Sequence, residues 1–478
     1  MRNTILTLLR HEGYILWCSL VFMFGVMTCQ SLSHRSQVTV DHLGKPLYLT
    51  PYLVKGNVKA ARERSRVGSI AGSPDLESYS GFMTVREQLK NNLFFWFFPA
   101  IKRRKEVAPV VLWLQGGPGT PSTFGLLLEH GPLQFSIGDN SASFREYTWV
   151  NNISMLYLDQ PVGTGYSHSS TNGYSKTVAD TAADLYEFLG QFYVLFPELR
   201  ANDFYIAGEG YAGKFIVALA MMMNMMKDDD SLPKLRGLLL GNVYIDPETQ
   251  NDLSDYYYQL GLMNKYQAEY MRTRVEQVVR LFYKRKFTDA QLIMDELIDR
   301  GHTGKPTLFW NATGLRQDYN VDLTSSPPEF SAYASFLTRP EVRLALHVGT
   351  LPFRDNDIVR ENMYGDLISS QKRTYTTILD SGIRVLMYSG QKDLSVPFCT
   401  TQKLMESVHW KGEKEYKGAI RRPWRAGLSN IIGYYLTVRN YTEVLLRGAG
   451  HVVPFDQPIE AFVLVNRFVL GQPINELD

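Results

Sequence analysis

Three short segments of this 478-residue chain carry residues whose types and order suit nucleophilic hydrolysis. Gly390-Gln391-Lys392-Asp393 follows the strand-like Val385-Leu386-Met387-Tyr388 and puts an aspartate on a loop. Gly448-Ala449-Gly450-His451 follows Val444-Leu445-Leu446 and puts a histidine on another. An aspartate that orients an imidazole, and an imidazole that takes a proton, are the base half of a relay that activates a hydroxyl. The third segment is where the hydroxyl belongs. Asp203 to Ala207 reads as a buried strand, Gly208-Glu209-Gly210-Tyr211-Ala212-Gly213 as a sharp turn, and Lys214 to Ala220 as the start of a helix. Strand, sharp turn and helix present the residue at the tip to a substrate. Here the tip is Gly210, which has no oxygen and cannot be acylated. Tyr211 does not replace it, because a phenol with a pKa near 10 is a poor nucleophile. Glycine is at ease in a strained turn, so the fold should survive the change.

The elements around these loops imply how they are positioned. Gly81 to Val85, Leu93 to Phe97 and Val110 to Leu114 are apolar, β-like runs, and the last ends in Gly116-Gly117-Pro118-Gly119. Met155 to Leu158, Leu235 to Gly241 and Val385 to Tyr388 are further buried strands. Thr177 to Phe196 has Ala179, Ala182, Leu185 and Phe188 spaced for one helical face. Strands alternating with helices predict an α/β fold with a mostly parallel sheet covered on both faces. Residues 246–340 break that rhythm. Asp255 to Tyr283 and Thr288 to Asp299 look helical with no strand between them, so they are read as a helical insertion over the carboxyl edge of the sheet. The expected division is a signal peptide at 1–31, core at 32–245, the insertion at 246–340 and core again at 341–478.

Composition narrows the function. Charged residues are 21% and the formal net charge is +2, which gives no case for nucleic-acid binding or electrostatic membrane attachment. Arg2 and Arg10 precede an apolar run from Tyr14 to Cys29, followed by polar Ser31, Ser33 and His34. That run is short for a membrane span of ~20 residues and is read as a cleaved secretory signal. No stable span is expected after cleavage, and the destination is the secretory pathway: outside the cell or a lysosome-like compartment. Of three cysteines, Cys18 and Cys29 fall in the leader, so the mature chain keeps only Cys399 and has no intramolecular disulfide. Asn152, Asn311 and Asn440 open glycosylation sequons, and Asn152 precedes an apolar run that suggests burial. No His-Glu-x-x-His or similar spacing is present, so neither metal nor other cofactor is expected.

The chain resembles the serine carboxypeptidases (peptidase family S10), which have the α/β-hydrolase fold. The resemblance rests on Trp113 to Gly119, Glu129-His130-Gly131-Pro132, Leu158 to Ser167, the 208–213 turn, Gly241-Asn242, and the Asp393 and His451 loops. Pro46 to Tyr52, Asn92 to Ala100 and Glu341 to Gly349 look like the vitellogenic carboxypeptidase-like branch. It implies a triad of position 210, Asp393 and His451, and an oxyanion hole from the N–H groups of Gly117 and Tyr211. It also implies a pocket for a peptide's C-terminal carboxylate, lined by Trp113, Gln115, Gly116, Glu129 and Glu209. Two close carboxyls cannot both ionise cheaply, so one keeps a proton to donate, which favours acidic pH. Partners would be peptides or proteins with a free C-terminal carboxylate. Gln115 stands where the wider family has asparagine, and Thr120 replaces a small residue or cysteine, hinting at a changed pocket wall. Two readings follow: a peptide-binding homologue without turnover, or an active carboxypeptidase if Gly210 is a sequence error or an engineered change.

Overall fold

The computed structural model describes residues 43–70, 72–226, 230–298, 305–355, 357–427 and 430–474. The expected signal peptide at 1–31, with Cys18 and Cys29, lies outside the described residues. Thirteen strands occur among the described residues: β1 (Tyr79–Val85), β2 (Asn91–Phe98), β3 (Val110–Leu114), β4 (Leu133–Ser136), β5 (Ser141–Phe144), β6 (Ser154–Leu158), β7 (His168–Ser169), β8 (Phe204–Glu209), β9 (Leu235–Gly241), β10 (Arg384–Gly390), β11 (Arg422–Ala426), β12 (Asn430–Val438) and β13 (Tyr441–Leu446). β4 and β5 form a separate hairpin. The others make one sheet in the order β1-β2-β6-β3-β8-β9-β10-β13-β12-β11, with β7 beside β2.

The middle of this sheet, from β6 to β13, is parallel throughout. Its strands are nearly continuous apolar runs because both faces are covered. Alternate residues of β3 show the division: Val110, Leu112 and Leu114 join one core, Val111 and Trp113 the other. The first core is closed by the helices Val178–Leu195 and Ala212–Met225, the second by Glu329–Leu337 and Pro458–Val469. The Val178–Leu195 helix starts at a capping box between Thr177 and Asp180. It buries Leu185, Phe188, Leu189 and Phe192, each worth about 1.5–3 kcal/mol as a fully buried side chain.

Between Gly241 and Arg384 every described element is helical. Ser254–Gln259 and Lys265–Tyr283 form two helices rather than one, because Gly261 turns left-handed at φ +72° between them. Phe287–Leu297 packs against Lys265–Tyr283 around a third core of Met271, Val275, Val278, Ala290 and Leu297. Helices continue past residue 340, through Pro340–Ala345, Asp357–Met363 and Lys372–Asp380. The β4–β5 hairpin, outside the main sheet, and the β11–β12 pair at its end are not among the expected strands; polar side chains leave no continuous apolar run in β4, β5 or β11.

Candidate active site

Parallel strands end together, so the loops that follow them converge. β3 leads into Gln115-Gly116-Gly117, β8 into Gly210, β10 into Asp393 and β13 into His451. Loops at the carboxyl ends of a parallel sheet are where α/β folds place ligands.

Gly210 has φ +57°, the left-handed turn that joins β8 to the Ala212–Met225 helix. Its N–H donates to the Gly241 carbonyl at 3.0 Å, and its carbonyl accepts from the Tyr244 N–H at 2.9 Å. The tip is thus pinned to the end of β9 from both sides. Apart from its two chain neighbours, the described residue that a Cβ built on Gly210 would meet within 4 Å is His451, with Nε2 at 3.0 Å and Cε1 at 3.6 Å. On its other side the imidazole Nδ1 is 3.0 Å from Asp393 Oδ2.

Asp393 is fully buried. Its Oδ1 accepts the N–H groups of Ser395 at 2.7 Å and Val396 at 3.2 Å. Its Oδ2 also accepts from the Asn242 amide. Asn242 is itself left-handed, at φ +45°, and its Oδ1 accepts the Gly390 N–H at 3.2 Å. In the sequence Asn242 shows only as part of the Gly241-Asn242 motif, with no task attached. An asparagine directly after a buried strand is the signal that was there to read, since asparagine tolerates this conformation. The His451 loop is held in turn by Asp456, which accepts from the Gly450 N–H at 2.6 Å and from the Tyr319 hydroxyl. The Tyr319 carbonyl accepts the His451 N–H at 2.8 Å. Tyr319 sits in the helical segment with no local motif, so nothing in the sequence pointed to it.

Gly116 packs against the tip. A Cβ there would lie 2.6 Å from the Glu209 carbonyl oxygen and 2.9 Å from the Tyr211 nitrogen, so only glycine fits. The next residue, Gly117, has φ +107°. Gly117 and Tyr211 both line a cavity of about 560 Å³. Thr120 lines the same cavity, its Oγ1 against the concave side of Gly117.

Gln115, Gly116, Glu209, Gly210 and His451 all line this cavity. Trp113 and Glu129 stand behind it. The Trp113 indole N–H donates to Gln115 Oε1 at 2.7 Å, which fixes the amide so that its Nε2 donates to Glu209 Oε1 at 2.6 Å. Glu129 comes from the turn of helix Gly125–Glu129 and is fully buried, as is Glu209. Within strict hydrogen-bond geometry, both oxygens of Glu129 and Oε2 of Glu209 lack a partner. The two carboxyls and Gln115 are nonetheless close enough to shift one another's titration.

Burial pushes the Glu129 carboxyl up to about 8, against the opposing pull of Gln115, Arg145 and His451. Burial, and then the charge of Glu129, pushes Glu209 up as well. The pair therefore holds protons at neutral pH, where isolated carboxyls would be ionised. Arg145 is the nearby buried cation; burial lowers it to about 10, and it donates to the carbonyls of Leu127 and Gly131. His130 stacks on Trp149 with ring centres 3.7 Å apart, and burial keeps its imidazole neutral well below the usual range.

The far wall comes from the helical segment: Asp318, Tyr319, Phe330, Tyr333 and Arg360. Of the three sequons, Asn311 and Asn440 are exposed. Asn152 is half-buried and its amide donates to Asn466 Oδ1 at 3.0 Å. Among the described residues no group of three or more His, Cys, Asp or Glu could hold a metal ion, and no helix is long and apolar enough to cross a membrane.

Residues 69–471 match the family model described as serine carboxypeptidase. A human protein called probable serine carboxypeptidase CPVL is 39% identical over 434 residues, covering 90% of each chain. The venom serine carboxypeptidase of Apis mellifera is 39% identical over 436 residues, covering 90% of this chain and 91% of that one. The vitellogenic carboxypeptidase of Aedes aegypti is 38% identical over 433 residues, covering 89% and 90%. In fold, the chain is similar to the crystal structure of the prohormone-processing carboxypeptidase Kex1 from Saccharomyces cerevisiae, with a TM-score of 0.70 at 22% identity over 86% of this chain and 96% of that one.

Proposed function

This chain belongs to the serine carboxypeptidase family, and on that premise we propose that it binds peptides through a free C-terminal carboxylate and has lost the acyl-enzyme route of cleavage. The observation that carries this reading is the pairing of an intact base with a missing nucleophile: the His451–Asp393 hydrogen bond faces Gly210. Losing the serine of a hydrolase triad costs about 10⁶ in kcat. In this reading Gly117 and Tyr211 supply the oxyanion donors, and Gln115, Gly116 and Glu209 meet the substrate carboxylate, with Trp113 and Glu129 behind them. The proton kept on the Glu129–Glu209 pair is what lets an anion bind beside two acids. The secretory pathway is the proposed location, supported by the leader-like N-terminus.

Calorimetry with one peptide and its C-terminal amide tests the proposal. The acid should bind without being cleaved, and the amide more weakly by about 1–3 kcal/mol, because groups arranged for a carboxylate are left unpaired. Equal affinity for acid and amide would refute a surviving carboxylate pocket.

A further inference from the structure

The change from serine to glycine removes a hydroxyl and also opens space. In the direction where a side chain would leave Gly210, the protein atoms within 4 Å belong to the His451 imidazole, with Nε2 nearest at 3.0 Å. Beyond it lies the 560 Å³ cavity. A water seated against the Gly210 Cα would lie in the space between the turn and Nε2, close to the place of a serine oxygen but not on it. The base is oriented: Nδ1 faces Asp393, which is fully buried and held by Asn242, Ser395 and Val396. Gly117 and Tyr211 line the same cavity, and among the described residues no loop or turn backbone carbonyl takes up their N–H groups.

We propose that this site hydrolyses esters directly with water: His451 is the general base, Gly210 provides the room, and no acyl-enzyme forms. The substrate class is a depsipeptide whose leaving group is a 2-hydroxy acid with a free carboxylate. This rests on the reading that Gly210 has ended the acyl-enzyme route and that the carboxylate pocket persists. His451 Nε2 takes a proton from water as the water oxygen bonds to the ester carbon. The carbonyl electron pair moves onto oxygen, which Gly117 and Tyr211 receive. The pair returns, the bond to the leaving oxygen breaks, and that oxygen takes the proton from Nε2. One ester and one water give one acid and one alcohol, and His451 ends neutral.

Esters rather than peptides follow from how the tetrahedral intermediate partitions. A hydroxide and an alkoxide leave with similar ease, so water attack on an ester goes forward about as often as it reverses. An amide nitrogen must be protonated before it departs, so water attack on a peptide mostly reverses. An acyl-enzyme avoids that return, and this site cannot make one.

The test measures hydrolysis of an N-acyl-phenylalanyl-3-phenyllactate ester by the purified wild-type chain, with the matching dipeptide in parallel. The ester should turn over at roughly 10⁵-fold above buffer, the ~10³ left to oxyanion donors and binding when a triad serine is lost multiplied by the ~10² of a general base, with no pre-steady-state burst and no fluorophosphonate labelling. Gly210→Ala fills the space with a methyl group and His451→Gln removes the base. Each should lower the rate by about 10²-fold, the usual worth of a general base, while the dipeptide still binds. If Gly210→Ala is poorly folded, His451→Gln decides alone. Wild-type turnover unchanged in either folded variant overturns the water route, as does no turnover above buffer. A burst with stoichiometric labelling of the wild type would overturn the loss of the acyl-enzyme route as well, which separates the two failures.

Discussion

Putting the serine back is the perturbation that asks most of this site. Gly210→Ser must place a Cβ 3.0 Å from His451 Nε2, so the imidazole has to yield by a few tenths of an ångström. The imidazole is held through Nδ1 to Asp393 and through its backbone N–H to Tyr319, so any yielding is a rotation about those two anchors. The left-handed φ of +57° costs a non-glycine residue roughly 1–2 kcal/mol, which should appear as a lower melting midpoint. The new Oγ lands near Nε2, in the cavity that Gly117 and Tyr211 also line. A triad serine is worth about 10⁶ in kcat, and sites mispositioned by ~1 Å lose much of that. The expected gain in release of a C-terminal residue from an N-acyl dipeptide is therefore between about 10³-fold and 10⁶-fold over the wild type. Thr120, wedged against Gly117, is the reason to expect less than the full amount. Fluorophosphonate labelling should become stoichiometric and should vanish again on adding His451→Ala. A revertant that folds and binds peptide, yet is neither labelled nor active, would refute the alignment of Asp393, His451 and the two N–H groups.

Three further outcomes follow from the buried charges and the surface. Peptide affinity should hold steady with rising pH until about 8 and then fall roughly tenfold per unit, since a proton of the Glu129–Glu209 pair is then lost; Glu209→Gln should flatten the curve in calorimetry. Folding stability should drop between pH 6.5 and 8. Glu129, Glu209 and Asp159 (pushed up by burial to about 7) hold protons when folded that the unfolded chain has released, so their stabilising effect is present at low pH and fades through the folded values. Below pH 6.5 the buried neutral His130 acts in the opposite sense, so melting midpoints that rise from pH 6.5 to 8 would contradict the assignment. Mass spectrometry of protein made in a secretory host should find glycans on exposed Asn311 and Asn440 and none on Asn152, whose amide is committed to Asn466.

The sequence by itself determined the α/β-hydrolase fold and the order of its chemical loops. Each of those signals is local: an apolar run that must be a buried strand, a glycine-rich turn directly after it, one polar residue at the turn. The glycine at the tip of the 208–213 turn was legible for the same reason, because it is one residue in one turn. What the tertiary structure decided is non-local. Gly210, Asp393 and His451 lie in three segments, and they meet because the parallel strands before them end at one edge. Asn242 and Asp456 hold that meeting through hydrogen bonds to Asp393 and Gly450, a role that pairing across the fold creates. Trp113 and Glu129 carried the same expectation as Gln115 and Glu209, yet they stand a layer behind the cavity. Trp113 shares a face with Gln115 but lies two residues further back along β3, and Glu129 ends the Gly125–Glu129 helix, so what packs in front of each sets its depth. The proton on the Glu129–Glu209 pair has the same origin: two acids 80 residues apart in the chain become weak acids only when the fold removes water from both.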